Sequence, residues 1–357
     1  MPFELNDKIK NLVPYDPIMG DYPIRLDANE SFLPMVGEER MGLEAALAAV
    51  NLRRYPDPAA RKLCQAAAAF YGTKPKLVTA FNGTDEALLL LCCAFLAQGT
   101  VFLGQGNTLL CYETDFSMYR FYAYLSGAEI VKLPKRADFT IDTDAAIEAL
   151  QKYRPQMFLF SNPCNPTSLV LPMEDVRRVV LAAQEIGTLL ALDEAYMDFN
   201  TQSLLDEVER HPNLVILRTC SKAAGLAGLR LGFSIANTDI TRVMHAVKSP
   251  YNVGVLTQAI GVELLSQPYR LVQDIQAIRQ STDALSAGLR ALGLHVIGDG
   301  ANFVFAGDCG QYFEPLKARG IVVRRFGENL RITAGTEQEN AALLNALKEL
   351  ITPPVTA

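Results

Sequence analysis

Arg218-Thr219-Cys220-Ser221-Lys222-Ala223-Ala224-Gly225-Leu226-Ala227-Gly228-Leu229-Arg230-Leu231-Gly232 is the stretch on which the reading of this chain turns. The apolar run at 214–217 leads into it and reads as a buried strand. A lysine then follows two small hydroxyl residues, with a glycine-punctuated turn and an arginine beyond it. A lysine on such a strand-to-loop edge can lose enough solvation to act as a nucleophilic amine. Neighbouring hydroxyls and a guanidinium can hold a phosphate. By itself the stretch suits a surface lysine in a turn equally well, so the rest of the chain has to supply matching parts.

It supplies four. Residues 188–192 are mostly apolar and end in Asp193-Glu194-Ala195-Tyr196. A carboxylate at the end of a buried strand favours a protonated ring nitrogen, which points to Asp193, with Tyr196 beside a ring hydroxyl. Glu194 reads as the acid that ends the strand nearer the surface. The run at 158–160 enters Ser161-Asn162-Pro163-Cys164-Asn165-Pro166-Thr167-Ser168, where two Asn-Pro pairs mark a sharp turn. Asn165 is placed there to donate its amide to a ring oxygen. Residues 76–86 read as strand, glycine turn and helix start, so Gly83, Thr84 and Asp85 offer amides and a hydroxyl to an anion. The helix that follows, 87–97, is apolar all round and expected to be buried. Finally, Phe116 begins a helix after a strand expected at 100–103 and is the stacking candidate; Tyr112 and Tyr119 suit the core equally well. Amine, carboxylate, phosphate cradle and stacking ring together are what pyridoxal phosphate requires of a protein.

In this order the motifs resemble the fold-type I pyridoxal-phosphate enzymes, the class I/II aminotransferases, and most of all the histidinol-phosphate aminotransferase group. The resemblance runs from Leu12 to about Leu350. It rests on Leu26-Asp27-Ala28-Asn29-Glu30, Arg54-Tyr55-Pro56-Asp57, Asn82-Gly83-Thr84-Asp85-Glu86, the Asn-Pro turn, Leu192-Asp193-Glu194-Ala195-Tyr196, Ser221-Lys222 with Arg230, and Leu330-Arg331-Ile332-Thr333-Ala334-Gly335. It implies that Lys222 binds the cofactor as an imine and shuttles the substrate proton. It implies that Asp193 pairs with the pyridinium, and that Asn165 and Tyr196 touch the ring oxygen. Thr84, Asp85, Thr219, Ser221 and Arg230 would hold the phosphate, and Phe116 would stack. Tyr55 would reach into a partner subunit's site, making a homodimer. Arg331 would take a substrate carboxylate, Asn29 would lie on the substrate side, and Tyr15 and Arg324 match substrate positions of the histidinol-phosphate group. The substrates implied are an amino acid or amino-phosphate and a 2-oxo acid, histidinol phosphate with 2-oxoglutarate first. An aromatic or acidic amino acid, or decarboxylation of a threonine phosphate, is the alternative. The sequence departs from the group at Cys164 (usually Asn), Ser168 (usually Gly), Phe32-Leu33, Thr114-Asp115 and in the short link from Arg324 to Arg331.

Composition agrees with this reading. The chain has 357 residues, half of them apolar, enough for a large core. Apolar stretches alternate with amphipathic ones from 77 to 235. This argues for an α/β fold, a mostly parallel central sheet sandwiched by helices, with a small α+β domain. The expected domains are 36–254, and 1–35 with 255–357. No tract approaches the ~20 apolar residues of a membrane span. The mixed charges at 1–11 do not read as a secretory signal. A net charge of −6 argues against nucleic acid. Seven cysteines without Cys-x-x-Cys or Cys/His clusters indicate neither zinc nor disulfides and fit the cytoplasm, with Cys92 and Cys93 both expected buried. His211, His245 and His295 are scattered and read as structural or surface residues.

Overall fold

A computed structural model of the chain describes residues 5, 10, 12–13, 17–96 and 107–352. Its strands, in chain order, are β1 (Ile24–Arg25), β2 (Val78–Phe81), β3 (Thr108–Tyr112), β4 (Glu129–Leu133), β5 (Met157–Ser161), β6 (Leu189–Asp193), β7 (Leu214–Thr219), β8 (Gly232–Ala236), β9 (His295–Gly298), β10 (Phe303–Gly307), β11 (Ile321–Val322), β12 (Arg324–Phe326) and β13 (Asn329–Thr333). Seven of them form one sheet in the order β2-β8-β7-β6-β5-β3-β4. All run parallel except β8, which is antiparallel to both its neighbours.

Successive side chains leave opposite faces of a strand, so each strand feeds two cores. Phe158, Phe160, Leu190, Leu192, Leu214 and Ile216 pack on one side with Leu63, Leu150 and Val180. Met157, Leu159, Ala191, Val215 and Leu217 pack on the other with Leu88, Leu91 and Cys92. Helices cover both faces. This is why the strands read as unbroken apolar runs instead of alternating ones.

The C-terminal part builds a separate antiparallel sheet, β12-β13-β10-β9, while β1 pairs in parallel with β11. Its core gathers Leu26, Leu285, Leu289, Val304, Leu330, Ile332, Leu343 and Leu347. Of the N-terminal segment, β1 and Leu26 pack with this unit. The helix Val255–Leu265 does not: Leu265 packs into the first core with Leu63. The crossover comes with the helix Pro268–Ala291, whose Leu285 and Leu289 enter the second core.

Three further expectations are corrected or left aside. The strand expected at 100–103 lies outside the described residues, and β3 is a strand that the sequence reading lacks. Cys92 is buried but Cys93 is exposed, since neighbouring helix positions point about 100° apart and only one of them faces the sheet. The link from Arg324 to Arg331 is short because it is a hairpin. Phe326 pairs with Asn329 across Gly327-Glu328, and Gly327 takes a φ of 59°, as the first residue of a tight two-residue loop must. Among the described residues no helix is long and apolar enough to cross a membrane.

Candidate active site

Ser161, Asp193 and Thr219 are the last residues of β5, β6 and β7, and all three line one cavity of about 520 Å³. Ligands of parallel sheets bind at this carboxyl edge, because the loops that follow the strands converge there. Thr84, Asp85, Phe116, Asn165, Tyr196, Ser221, Lys222, Arg230, Asn29, Arg324 and Arg331 line the same cavity.

The anion corner is built by close packing. Gly83, with a φ of 81°, precedes the helix Thr84–Phe95. A Cβ at Gly83 would stand 2.7 Å from the Arg230 guanidinium, and one at Gly232 would stand 2.6 Å from the Thr84 amide nitrogen. The two glycines thus let Arg230 and β8 close on the amino end of that helix, where free N–H groups and the macrodipole favour a negative charge. Thr219 Oγ1 and Ser221 Oγ lie 3.1 Å apart beside it, and Arg230 holds Asp85 at 3.0 Å.

Asp193 is 5% exposed. Its Oδ2 accepts from the Tyr119 hydroxyl at 2.7 Å and its Oδ1 from the Ala195 amide at 3.0 Å. Burial pushes its carboxyl up to about 6, against the pull of those two hydrogen bonds. Phe116 meets Tyr119 edge-on at 5.5 Å. The Lys222 amine donates to the Ala28 carbonyl at 3.0 Å and lies 5.8 Å over the Tyr196 ring. The Tyr196 hydroxyl accepts from Asn29 at 2.9 Å.

Arg331 donates to Asn165 Oδ1 at 2.7 Å and to the Asp27 carbonyl at 2.5 Å. A guanidinium has only donors, so this contact fixes the Asn165 oxygen toward Arg331 and leaves the amide nitrogen as the group that can donate elsewhere. Arg324 and Arg331 pair in register across β12 and β13, side by side on one face. Arg325 points the other way, is exposed, and bonds the Gly327 carbonyl at 2.8 Å.

Not every candidate converges here. Tyr55 is 80% exposed and stacks on Tyr251 at 4.5 Å, away from the cavity. Tyr15 lies outside the described residues. Glu194 is not a surface acid. It is fully buried, 2.6 Å from Arg218, which also holds Asp198 at 2.5 Å. Burial drives the Glu194 carboxyl up to about 7 despite Arg218.

The sequence leaves the role of Tyr119 open and marks Asp115 only as a departure from the group, with no role. Asp115 is buried and anchors the Ser161 amide at 3.1 Å. The helix here begins only at Met118, so Phe116 precedes it and no helical spacing links it to Tyr119. No local signal gives Asp115 a role.

A doubly covered α/β sheet with an amine, a buried acid and an anion cradle at its carboxyl edge defines a cofactor-dependent group-transfer fold. The family model described as aminotransferase class I and II matches residues 24–347, and the chain belongs to that family. The histidinol-phosphate aminotransferase of Clostridium novyi (strain NT) is 34% identical over 348 residues, 95% of each chain. That of Thermococcus gammatolerans is 35% identical over 350 residues, 97% of each chain. Among solved structures, histidinol-phosphate aminotransferase from Sinorhizobium meliloti in complex with pyridoxal-5'-phosphate matches with a TM-score of 0.86 at 23% identity, over 97% of both chains. Aspartate aminotransferase from Thermus thermophilus with maleate matches at 0.78 and 20% identity, over 92% of both. At these identities the two structures speak for the fold.

Proposed function

We propose that this chain is a pyridoxal-phosphate-dependent aminotransferase that moves an amino group between histidinol phosphate and 2-oxoglutarate. The observation that carries the substrate reading is the register of Arg324 and Arg331. Like charges directly opposite on adjacent strands repel. Two guanidinium groups held so at the wall of the cavity favour a doubly charged anion between them, and a phosphate monoester is one. Relatives over nearly the full length bear the same name, which supports the reading.

The residues fit the cofactor. A Cβ-free cradle suits a phosphate, and buried Asp193 suits a protonated ring nitrogen. When bound, pyridoxal phosphate supplies an aldehyde and an electron-withdrawing ring. Thr84, Ser221, Thr219 and Arg230 would hold the phosphate, and Phe116 would lie on the ring. Asn165 would donate to the ring oxygen beside Tyr196. Lys222 would take the proton from the substrate's amine-bearing carbon and hold it on its own amine for return. Arg324 and Arg331 would hold the substrate anion and Asn29 would border it, with Tyr15 kept as the substrate-side residue that the sequence suggests.

The test is a donor panel. Histidinol phosphate with 2-oxoglutarate should turn over best; activity with phenylalanine or aspartate and none with histidinol phosphate would end the specific assignment. Arg324→Gln should lower kcat/KM for histidinol phosphate about 10²-fold, the worth of one charge-assisted phosphate contact, and change the glutamate half-reaction less than about tenfold. Equal losses for both substrates would remove Arg324 from the phosphate site.

The proposal extends to a homodimer in which exposed Tyr55 completes the neighbour's site. Mixed dimers of Lys222→Ala and Tyr55→Ala chains should then regain activity that neither parent has. One site of each hybrid carries both intact residues. No recovery on subunit exchange would rule this out. The proposed domain division keeps 36–254 as the large unit but assigns the helix Val255–Leu265 to it, with 1–35 and the rest as the small one. Seven free thiols favour a reducing cytoplasm.

A further inference from the structure

Lys135, just beyond β4, touches Cys164 in the Asn-Pro turn. Its amine nitrogen is 2.8 Å from Sγ. Other polar contacts of sulfur among the described residues are longer: 3.2 Å for Cys309, 3.7 Å for Cys64, and 3.8 Å from Cys164 itself to the Thr114 carbonyl. Cys164 is 2% exposed, so the pair is held by packing and not by chance collision at the surface. Lys135 also lies 5.3 Å over the Tyr112 ring. Burial disfavours its charge, but the sulfur and Asp115 outweigh burial and hold its pKa above the ordinary value. A second cavity, of about 370 Å³, is lined by Thr114, Asp115, Asn165 and Pro166, the immediate surroundings of the sulfur. Neither Cys164 nor Lys135 lines that cavity itself, so a small oxidant in it stands next to residues that border the sulfur.

We propose that Lys135 and Cys164 form a covalent, thiol-reversible bridge through one oxygen atom when the protein meets hydrogen peroxide. Thiols beside a cation are the ones that oxidise selectively, and a sulfenic acid condenses with a neighbouring nucleophile in place of further oxidation. The first peroxide oxidises the thiol to a sulfenic acid and leaves as water. Lys135 releases its extra proton to water, and the second peroxide oxidises the amine to a hydroxylamine, again leaving water. Condensation of the two expels a third water and leaves S–O–N. Two peroxides thus accept four electrons, two from sulfur and two from nitrogen. Four small-molecule thiols reverse the change, giving two disulfides and one water. The bridge would tie β4 to the residue preceding Asn165, whose side chain holds Arg331. Its effect on turnover rests on the amine-transfer reading; the bridge itself does not.

The intact protein is treated with hydrogen peroxide, blocked with an alkylating agent, digested and weighed. The expected result is a Lys135 peptide joined to the Cys164 peptide, heavier by one oxygen and lighter by two hydrogens than their sum. Dithiothreitol should abolish it, and Lys135→Arg and Cys164→Asn should lack it. Cys164 recovered unlinked, as thiol or sulfinic acid, while exposed Cys93 oxidises would overturn the proposal, and a link without added oxygen would overturn the oxygen bridge. In the same sample, loss of turnover restored by dithiothreitol in the wild type but not seen in Lys135→Arg supports control of the site. A linked chain of unchanged activity refutes that control and leaves the bridge standing.

Discussion

Lys222→Ala is expected to reduce amino transfer by about 10⁴-fold or more while the protein stays folded. A positioned acid–base group alone contributes roughly 10²- to 10⁴-fold, and Lys222 is asked to act as nucleophile as well. Alanine can do neither, and water cannot reproduce an amine fixed over Tyr196. The fold should tolerate the change. The amine bonds the Ala28 carbonyl at the cavity wall, where water can take its place, so the stability cost should stay below about 1 kcal/mol. Two measurements decide it. Single-turnover assays should show no conversion of the amino donor, and the variant mixed with pyridoxal phosphate should lack the visible absorption of a lysine-bound cofactor. Residual transamination near wild-type rates would remove Lys222 from the reaction.

Asp193→Asn should separate function from stability. The carboxylate is the charge that would face the ring nitrogen, and removing one partner of a buried ion pair costs about 3–5 kcal/mol, which is a rate loss of roughly 10² to 10³ or more. The shape survives. An asparagine oxygen can accept from Ala195, and its amide can donate to the Tyr119 hydroxyl, which rotates to receive it. Stability without cofactor should move the other way. Burial raises the Asp193 carboxyl from 3.8 to about 6, so the folded state holds the proton more tightly than the unfolded chain. The contribution of a group so shifted is fully present below the unfolded pKa and is lost as pH rises through the folded one. Cofactor-free wild type should therefore lose stability between about pH 4 and 6, and Asp193→Asn should lose less over that range. Denaturant titrations at several pH values, run beside activity assays, test both halves. A variant that is both active and equally pH-sensitive would contradict the assigned environment of Asp193.

Much of this site was legible in the chain as text. Asp193, Asn165, Ser221 and Lys222 each follow a run of apolar residues, and each lies at or just beyond the carboxyl edge of a buried strand. Their convergence needs only that the strands be parallel and neighbouring. Glu194 was misread because the same apolar run that buries Asp193 also buries its neighbour when the next strand supplies Arg218. That partner is 24 positions away in sequence and invisible to local pattern. Cys93 was misplaced because an all-apolar helix does not declare which side meets the sheet.

The sequence by itself determined that 157–160, 189–192 and 214–217 are buried strands, which turn carries a phosphate-seeking helix end, and which lysine and aspartate bound the cavity. These follow from side-chain periodicity and turn chemistry, which act over a few residues. Only the tertiary structure decided that Tyr119 anchors Asp193, that Arg324 stands opposite Arg331, that Tyr55 stays out of the cavity, and that Lys135 touches Cys164. Each of these depends on strand order and register, and thus on how distant segments pack, which no short window of residues records.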